Sequence, residues 1–208
     1  LVIHGGAGVE RADLSADDEV AARLALESAL RAGHKELAGG KPALDAVTAA
    51  ITVLEDAPQF NAGRGAVFNH DGKNELDSSI MDGASHKAGA VAGVHRVKNP
   101  ILLARAVMEK SRHVMMVGDG AEAFAVENGF RLVDPSYFRT EKRWQQLQRA
   151  LQEEREAEAK GISLVLPGKA YFGTVGALAL DAKGHLAAGT STGGMTNKRY
   201  GRVGDSPI

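Results

Sequence analysis

The sequence contains no cysteine, which removes disulfides, thiolate metal sites and a cysteine nucleophile together. That lack fits a reducing compartment, and a cytoplasmic protein is expected. Aromatic residues are scarce, at 5% of 208 residues, and the basic residues lack the aromatic interleaving of a single-strand nucleic-acid binder. The formal net charge is -1, so no field of one sign gathers nucleic acid or anionic lipid. No apolar run reaches membrane-spanning length and no signal peptide is visible. Neither nucleic acid nor a membrane is an expected partner. The seven histidines show no H-E-x-x-H spacing, so each reads as a surface or hydrogen-bonded residue rather than a metal ligand. Leu1 stands where a methionine would, and the chain stops at "GDSPI"; a chain cut at both ends is expected.

Glycine is what the sequence has in excess, 25 of 208 residues. The glycines are not periodic and no internal repeat is present. They cluster in "HGGAG", "NAGRGAVF", "DGASHKAGAVAG", "GTVGA" and "GTSTGGMTNKRYGRVGD". Each cluster suits a tight turn or a close approach of backbone to ligand. Between them the pattern is mixed α+β. "LVIH" reads as a short buried strand. Ser15 with Asp18 marks a helix start, and that helix runs to Gly39-Gly40. Pro42 opens a second helix with Leu44, Val47, Ile51 and Leu54 on one face. "ELDSSIMDG" and "AGAVAGVHRV" read as paired strands, and Asn99-Pro100 as the start of a helix through Lys110. "HVMMVG" reads as a buried strand, and Ala121 to Asn128 as a helix closed by Gly129. Residues 140–160 are dense in charge and glutamine, with few anchors besides Trp144, Leu147 and Leu151; they read as a solvated helix by propensity. Residues 153–168 read as a mobile connector. "GTVGALALD" and "GHLAAGTST" then form a hairpin around Asp181-Ala182-Lys183-Gly184.

The abrupt Gly173-Thr174 head of that hairpin raises a chemical question. A threonine hydroxyl is a weak nucleophile without a base, but an N-terminal threonine carries its own base in its α-amine. That amine has a reference pKa of about 8, and the β-methyl restricts χ1. Exposing it requires the Gly173-Thr174 bond to break, which Thr174 Oγ does by attacking the Gly173 carbonyl to give an ester that water hydrolyses. Taken alone, a Gly-Thr pair opening a strand reads as structural. Thr192, eighteen residues on, ends the paired strand on the side expected to face Thr174, with Ser191 facing away. Beyond it lie Arg202 and Asp205 in "GRVGDSP". An arginine clamps a carboxylate and an aspartate holds an ammonium, so the two suit an amino acid; equally, they read as a surface pair of little consequence.

Two other motifs are present. Gly189-Thr190-Ser191-Thr192-Gly193 fits G-x-S-x-G, but that elbow needs a following helix and a downstream histidine, and no histidine follows His185. "GTSTGGMTNK" lacks the spacing of a phosphate loop. A non-catalytic interaction module with glycine-rich loops is also compatible with the spacing.

Over nearly its whole length the chain resembles one family. "GTVGALALDAKGHLAAGTSTGGMTNKRYGRVGDSP" closely resembles the autoprocessing segment of the isoaspartyl peptidase/L-asparaginases, the plant-type asparaginases, which are N-terminal-nucleophile hydrolases. "IHGGAG", "FNAGRGAVFN", "ELDSSIMDG", "KAGAVAGV", "NPILLARAVMEKS" and "HVMMVGDGAEAFA" follow the family's order. The resemblance implies an αββα sandwich whose C-terminal part is absent from this chain. It implies an N-terminal (alpha) subunit segment over 1–139, a linker over 140–173 ending at the autocleavage site between Gly173 and Thr174, and the start of the C-terminal (beta) subunit over 174–208. Thr174 matches the nucleophile, Thr192 the threonine that tunes it, Asn61 a residue reaching the catalytic region, and Arg202 and Asp205 the substrate carboxylate and amine anchors. "LEDAPQFNAGR" matches a structural sodium site built from the carbonyls of Leu54, Glu55, Ala57, Phe60, Ala62 and Arg64; the same stretch also reads as a tight turn without an ion. The resemblance implies hydrolysis of L-asparagine and β-aspartyl dipeptides without a catalytic cofactor, in a dimer of processed heterodimers. Family members continue past "GDSP" to a "TGTGE"-like segment that steadies the oxyanion, so activity is expected of the intact parent protein. Glycosylasparaginases are the nearest alternative. They usually travel a secretory route with disulfides, which the lack of cysteine argues against.

Overall fold

The computed structural model describes residues 1–7, 14–161 and 173–208. Among them lies one six-stranded sheet of order β1-β5-β6-β2-β3-β4. Its strands are β1 (Val2–His4), β2 (Leu76–Asp82), β3 (Lys87–Val94), β4 (Met115–Val117), β5 (Val175–Leu180) and β6 (Leu186–Thr192). Neighbours are antiparallel except β3 and β4, which run parallel. The helices are α1 (Ala16–Ala38), α2 (Ala43–Asp56), α3 (Pro100–Lys110), α4 (Gly118–Glu127) and α5 (Glu141–Ala159).

Local sequence explains most boundaries. Ser15 caps α1 by accepting from the Asp18 amide at 3.1 Å, and Gly39 closes it. Pro42 is the N-cap of α2, one residue outside the helix it was expected to open. Pro100 takes the first position of α3, where a missing N–H costs nothing. The hairpin of β5 and β6 pairs Val175 with Ser191 and Leu180 with Leu186, and Gly184, at φ 80°, closes its turn onto the Asp181 carbonyl.

The core lies between one face of the sheet and α2 and α3, with α1 packed on α2. Val47, Ile51, Leu54, Ile101 and Val107 meet Val175, Ala177, Ile80 and Val91, all buried. Gly189 and Gly89 let this layer close. A β-carbon on Gly189 would touch Ile51, Val47 and Ile101 at 3.0–3.1 Å, and one on Gly89 would collide with the Ala104 carbonyl of α3. The opposite face is open. Leu178, Leu180, Leu186, Met81, Met115 and Val117 are exposed, and the pairing registers place them on the face away from α2 and α3. "LVIH" and "HVMMVG" were expected as buried strands. They form β1 and β4, the two edges of the sheet, and Val2, Met115 and Val117 are exposed because they point to the open face.

The charged stretch also departs from expectation. Helix continues through Ala159, so residues 153–159 are not a mobile connector. The helix docks: Leu147, Gln146 and Ala157 are buried, and the Trp144 ring meets Phe68 edge-on at 5.4 Å. The rest of the expected connector, and Ala170 to Phe172 ahead of the junction, lie outside the described residues.

The two glycine environments make opposite demands. Gly89→Ala must push α3 off β3 and is expected to cost about 1–3 kcal/mol. Gly120, exposed in α4 with open space around its β-position, should gain about 0.4–1 kcal/mol as alanine by narrowing the unfolded ensemble. Thermal unfolding of the two variants should shift in opposite directions.

Candidate active site

The junction residue Thr174 directly precedes β5, and chain parity puts its side chain on the open face. Thr192, at the end of β6, points the same way. Thr174 Oγ1 donates to Thr192 Oγ1 at 3.2 Å. Ser191 points through the sheet, where its hydroxyl donates to Glu55 Oε1 at 2.6 Å. The neighbours therefore face opposite sides, as period-2 alternation requires. Burial pushes the Glu55 carboxyl up to about 8, against the pull of Ser191, the Ile101 amide and Asn99.

The carbonyl of Gly173 is the best-held group at this site. Asn61 Nδ2 donates to it at 2.9 Å and Thr192 Oγ1 donates to it at 2.9 Å. Asn61 is fixed in turn. Its Oδ1 accepts from the Val67 amide at 2.9 Å, its Nδ2 also reaches the Gly194 carbonyl at 2.7 Å, and its own carbonyl accepts from the Gly193 amide. The Gly194 amide donates to Thr192 Oγ1 at 3.0 Å. A β-carbon on Gly173 would come within 2.9 Å of Asn61 Cβ, so the approach needs a glycine. Two donors on one carbonyl oxygen stabilise negative charge developing there.

Two residues at the site were not foreseen. Ser206 Oγ lies 3.2 Å from Thr174 Oγ1, and the Ser206 carbonyl accepts from Ser79 at 2.7 Å and from Thr190. In sequence it is simply the serine of "GDSP". His4 Nδ1 lies 2.9 Å from the Thr174 carbonyl, across the pairing of β1 with β5. No spacing signal links positions 4 and 174; only the strand order does.

Arg202 and Asp205 are exposed and form no ion pair with each other or with any other described residue. They follow a loop that starts at Gly193 beside Asn61. Asp77, opposite Thr192 in the ladder, is fully buried; its Oδ2 has no hydrogen-bond partner among the described residues and lies 3.9 Å from Lys198 Nζ. Burial pushes its carboxyl up, while Lys198, the Gly93 amide and, more weakly, the Arg202 guanidinium pull it down.

The 54–65 loop offers backbone oxygens to a sodium ion. No cluster of acidic, histidine or cysteine side chains that could hold a metal occurs among the described residues, so any ion here depends on backbone oxygens. The Leu54 and Ala57 carbonyls accept long hydrogen bonds from the Ala57 and Phe60 amides, at 3.3 and 3.4 Å. Gly63 and Gly65 pack so closely on the carbonyls of Glu55 and Phe60 that a β-carbon on either would collide. That oxygen-lined cradle suits a hard cation.

Known proteins resemble this chain in sequence. The family model described as "Asparaginase" matches residues 1–208. The isoaspartyl peptidase of Escherichia coli K12 is 51% identical across the whole of this chain, which covers 65% of that protein. The plant-type L-asparaginase of Pyrococcus abyssi is 46% identical, with 67% of it covered. The mouse isoaspartyl peptidase/L-asparaginase is 45% identical, with 60% of it covered. The chain thus spans about two thirds of the length of the relatives it matches. With a family model matched from end to end and identities near one half, the chain belongs to the asparaginase family.

Proposed function

We propose that this chain is the larger part of a self-processing amidohydrolase that hydrolyses L-asparagine and β-aspartyl dipeptides through Thr174. The observation that carries the reading is the Gly173 carbonyl, gripped by Asn61 and Thr192 beside the Thr174 hydroxyl. In the uncut chain the hydrogen bonds run from Thr174 to Thr192 and from Thr192 to the Gly173 oxygen. Thr174 Oγ adds to the Gly173 carbonyl carbon, its proton is transferred by way of the neighbouring hydroxyls to the departing Thr174 nitrogen, and the C–N bond breaks to leave an ester and a free α-amine. Water hydrolyses the ester and leaves Thr174 as a chain end.

The exposed amine then serves as the base. It takes the Oγ proton while Oγ adds to the side-chain carbonyl of the substrate. Asn61 and Thr192, released from the Gly173 carbonyl, are free to donate near the developing oxyanion. The amine returns the proton to the departing ammonia or amino acid, and water frees aspartate from the ester. Arg202 takes the α-carboxylate and Asp205 the α-ammonium, a role their free charges and exposure suit. The names of the relatives, isoaspartyl peptidase and L-asparaginase, support both substrates. No organic cofactor enters. Sodium held by the carbonyls of Leu54, Glu55, Ala57, Phe60, Ala62 and Arg64 would brace the loop that presents Asn61.

The open face supports the finer architecture. It carries both the junction and a band of exposed Leu and Met side chains, which is costly in water. A second sheet packed there, in an αββα sandwich, covers the band and encloses the site. The cut at Gly173-Thr174 separates the 1–139 segment and the 140–173 stretch from the subunit that starts with 174–208, and two processed heterodimers pair.

Two outcomes test this reading. In the full-length protein Thr174→Ala should remain one uncut chain by intact mass, and Asn61→Ala should slow the cut by about 10²–10³-fold. Cleavage at any bond other than Gly173-Thr174 would sink the assignment. Arg202→Ala should raise KM for a β-aspartyl dipeptide by the roughly 1.5–3 kcal/mol of a charge-assisted contact while processing proceeds normally, because the scissile peptide offers no free carboxylate. An unchanged KM would remove Arg202 from the site.

A further inference from the structure

We infer that α5, upstream of the junction, sets the position of the loop that carries Arg202, and that Glu154 is the positioning residue. This rests on the reading of Arg202 as the carboxylate anchor. The loop from Gly193 to Asp205 is unusually shaped. Gly194, Asn197, Tyr200 and Gly201 all have left-handed φ, between 59° and 76°. Two of these are not glycine, a conformation that persists only where surroundings impose it.

The loop is held at two points: the buried Lys198, whose Nζ donates to the Glu75 carbonyl at 3.1 Å and lies 3.5 and 3.9 Å from the Glu75 and Asp77 carboxylates, and, on the side nearer Arg202, the Glu154 carboxylate. Asn197 Nδ2 donates to Glu154 Oε2 at 3.1 Å, and Arg199 NH2 donates to Glu154 Oε1 at 3.0 Å. Asn197 Oδ1 can only accept, so the His70 Nδ1 lying 2.7 Å away carries the proton of that bond. Burial raises the Glu154 carboxyl, but Asn197 and Arg199 outweigh it and hold it below its ordinary range. The backbone adds two rungs, Asn197 amide to Phe68 carbonyl and His70 amide to Lys198 carbonyl, both at 2.9 Å.

These contacts stop at Arg199. From there the Arg202 amide closes a turn onto the Arg199 carbonyl at 3.0 Å. Tyr200 is 98% exposed, and among the described residues no side-chain bond ties 200–203 to the body of the protein. Arg199 is therefore the last side chain tied down before the anchor, and Glu154 is its partner, one residue beyond the separately held Lys198. The platform under Glu154 is firm. Arg143 Nε donates to the Gly65 carbonyl at 2.8 Å and Gln146 Nε2 to Thr196 Oγ1 at 2.8 Å. The nucleophile side is supported by Asn61 and Val67 and, at the far end of the loop from Arg202, by Gly194. Loss of Glu154 should thus loosen substrate capture and leave the chemistry intact, since a preset guanidinium binds without an ordering cost.

The test compares Glu154→Ala, Glu154→Gln, the exposed neighbour change Glu153→Gln and Arg202→Ala in the full-length protein. Intact mass follows processing, and steady-state hydrolysis of a β-aspartyl dipeptide gives KM and kcat. Glu154→Ala should process fully and raise KM about three- to tenfold with kcat within about twofold. Glu154→Gln, which keeps one acceptor oxygen, should fall between, and Glu153→Gln should match the parent. An unchanged KM for Glu154→Ala beside a raised KM for Arg202→Ala overturns the inference and leaves the anchor reading standing. If neither raises KM, the anchor reading fails and the inference with it. A drop in kcat or in processing for Glu154→Ala means general support of the fold and also overturns it.

Discussion

The double hydrogen bond on the Gly173 carbonyl is the constraint around which the site is built. For Asn61 and Thr192 to reach one oxygen, the end of β6 must lie against the loop after α2. Gly193 permits that approach, since a β-carbon there would stand 2.5 Å from Asn61 Oδ1. Gly194 then spends both backbone groups on the pair, its amide on Thr192 and its carbonyl on Asn61. Glycine is abundant in this sequence because backbone approaches side chain and carbonyl at several such points.

Behind the ladder a different logic holds. Ser191 joins β6 to the buried Glu55 at the end of α2, and Glu55 accepts from the Ile101 amide at the start of α3. One carboxyl thus ties a strand to two helices, which accounts for a polar group inside an otherwise apolar layer. Adjacent residues on β6 serve opposite layers: Thr192 the junction, Ser191 the core.

Sequence reasoning reached those parts whose information is local. The hairpin was legible because period-2 apolar spacing flanks Asp181 to Gly184, and equal offsets from that turn put Thr174 and Thr192 on one face. Caps at Ser15, Gly39 and Pro100 were legible for the same reason. What escaped depends on strand order and docking. His4 meets Thr174 only because β1 pairs with β5, and Ser206 only because the chain returns over the open face. The exposure of Val2 and Met115 follows from edge positions that hydropathy cannot reveal. The charged helix α5 read as solvated because its few apolar anchors are spread thinly, yet its polar side chains find specific partners in Thr196, Asn197 and Arg199.

The pairing of β1 with β5, Val2 to Leu178 and His4 to Gly176, spans the proposed cut, as does the grip of α5 on the loop beyond it. While the backbone is continuous, these contacts form within one molecule. After the cut they join two molecules, and their re-formation from an unfolded state depends on concentration. A protein cut there would be held together by a barrier to unfolding more than by an equilibrium it can revisit. Under that proposal the continuous chain would fold before Thr174 becomes a terminus, and heat or denaturant that separates the pieces would leave a two-molecule reassembly in place of a one-chain fold.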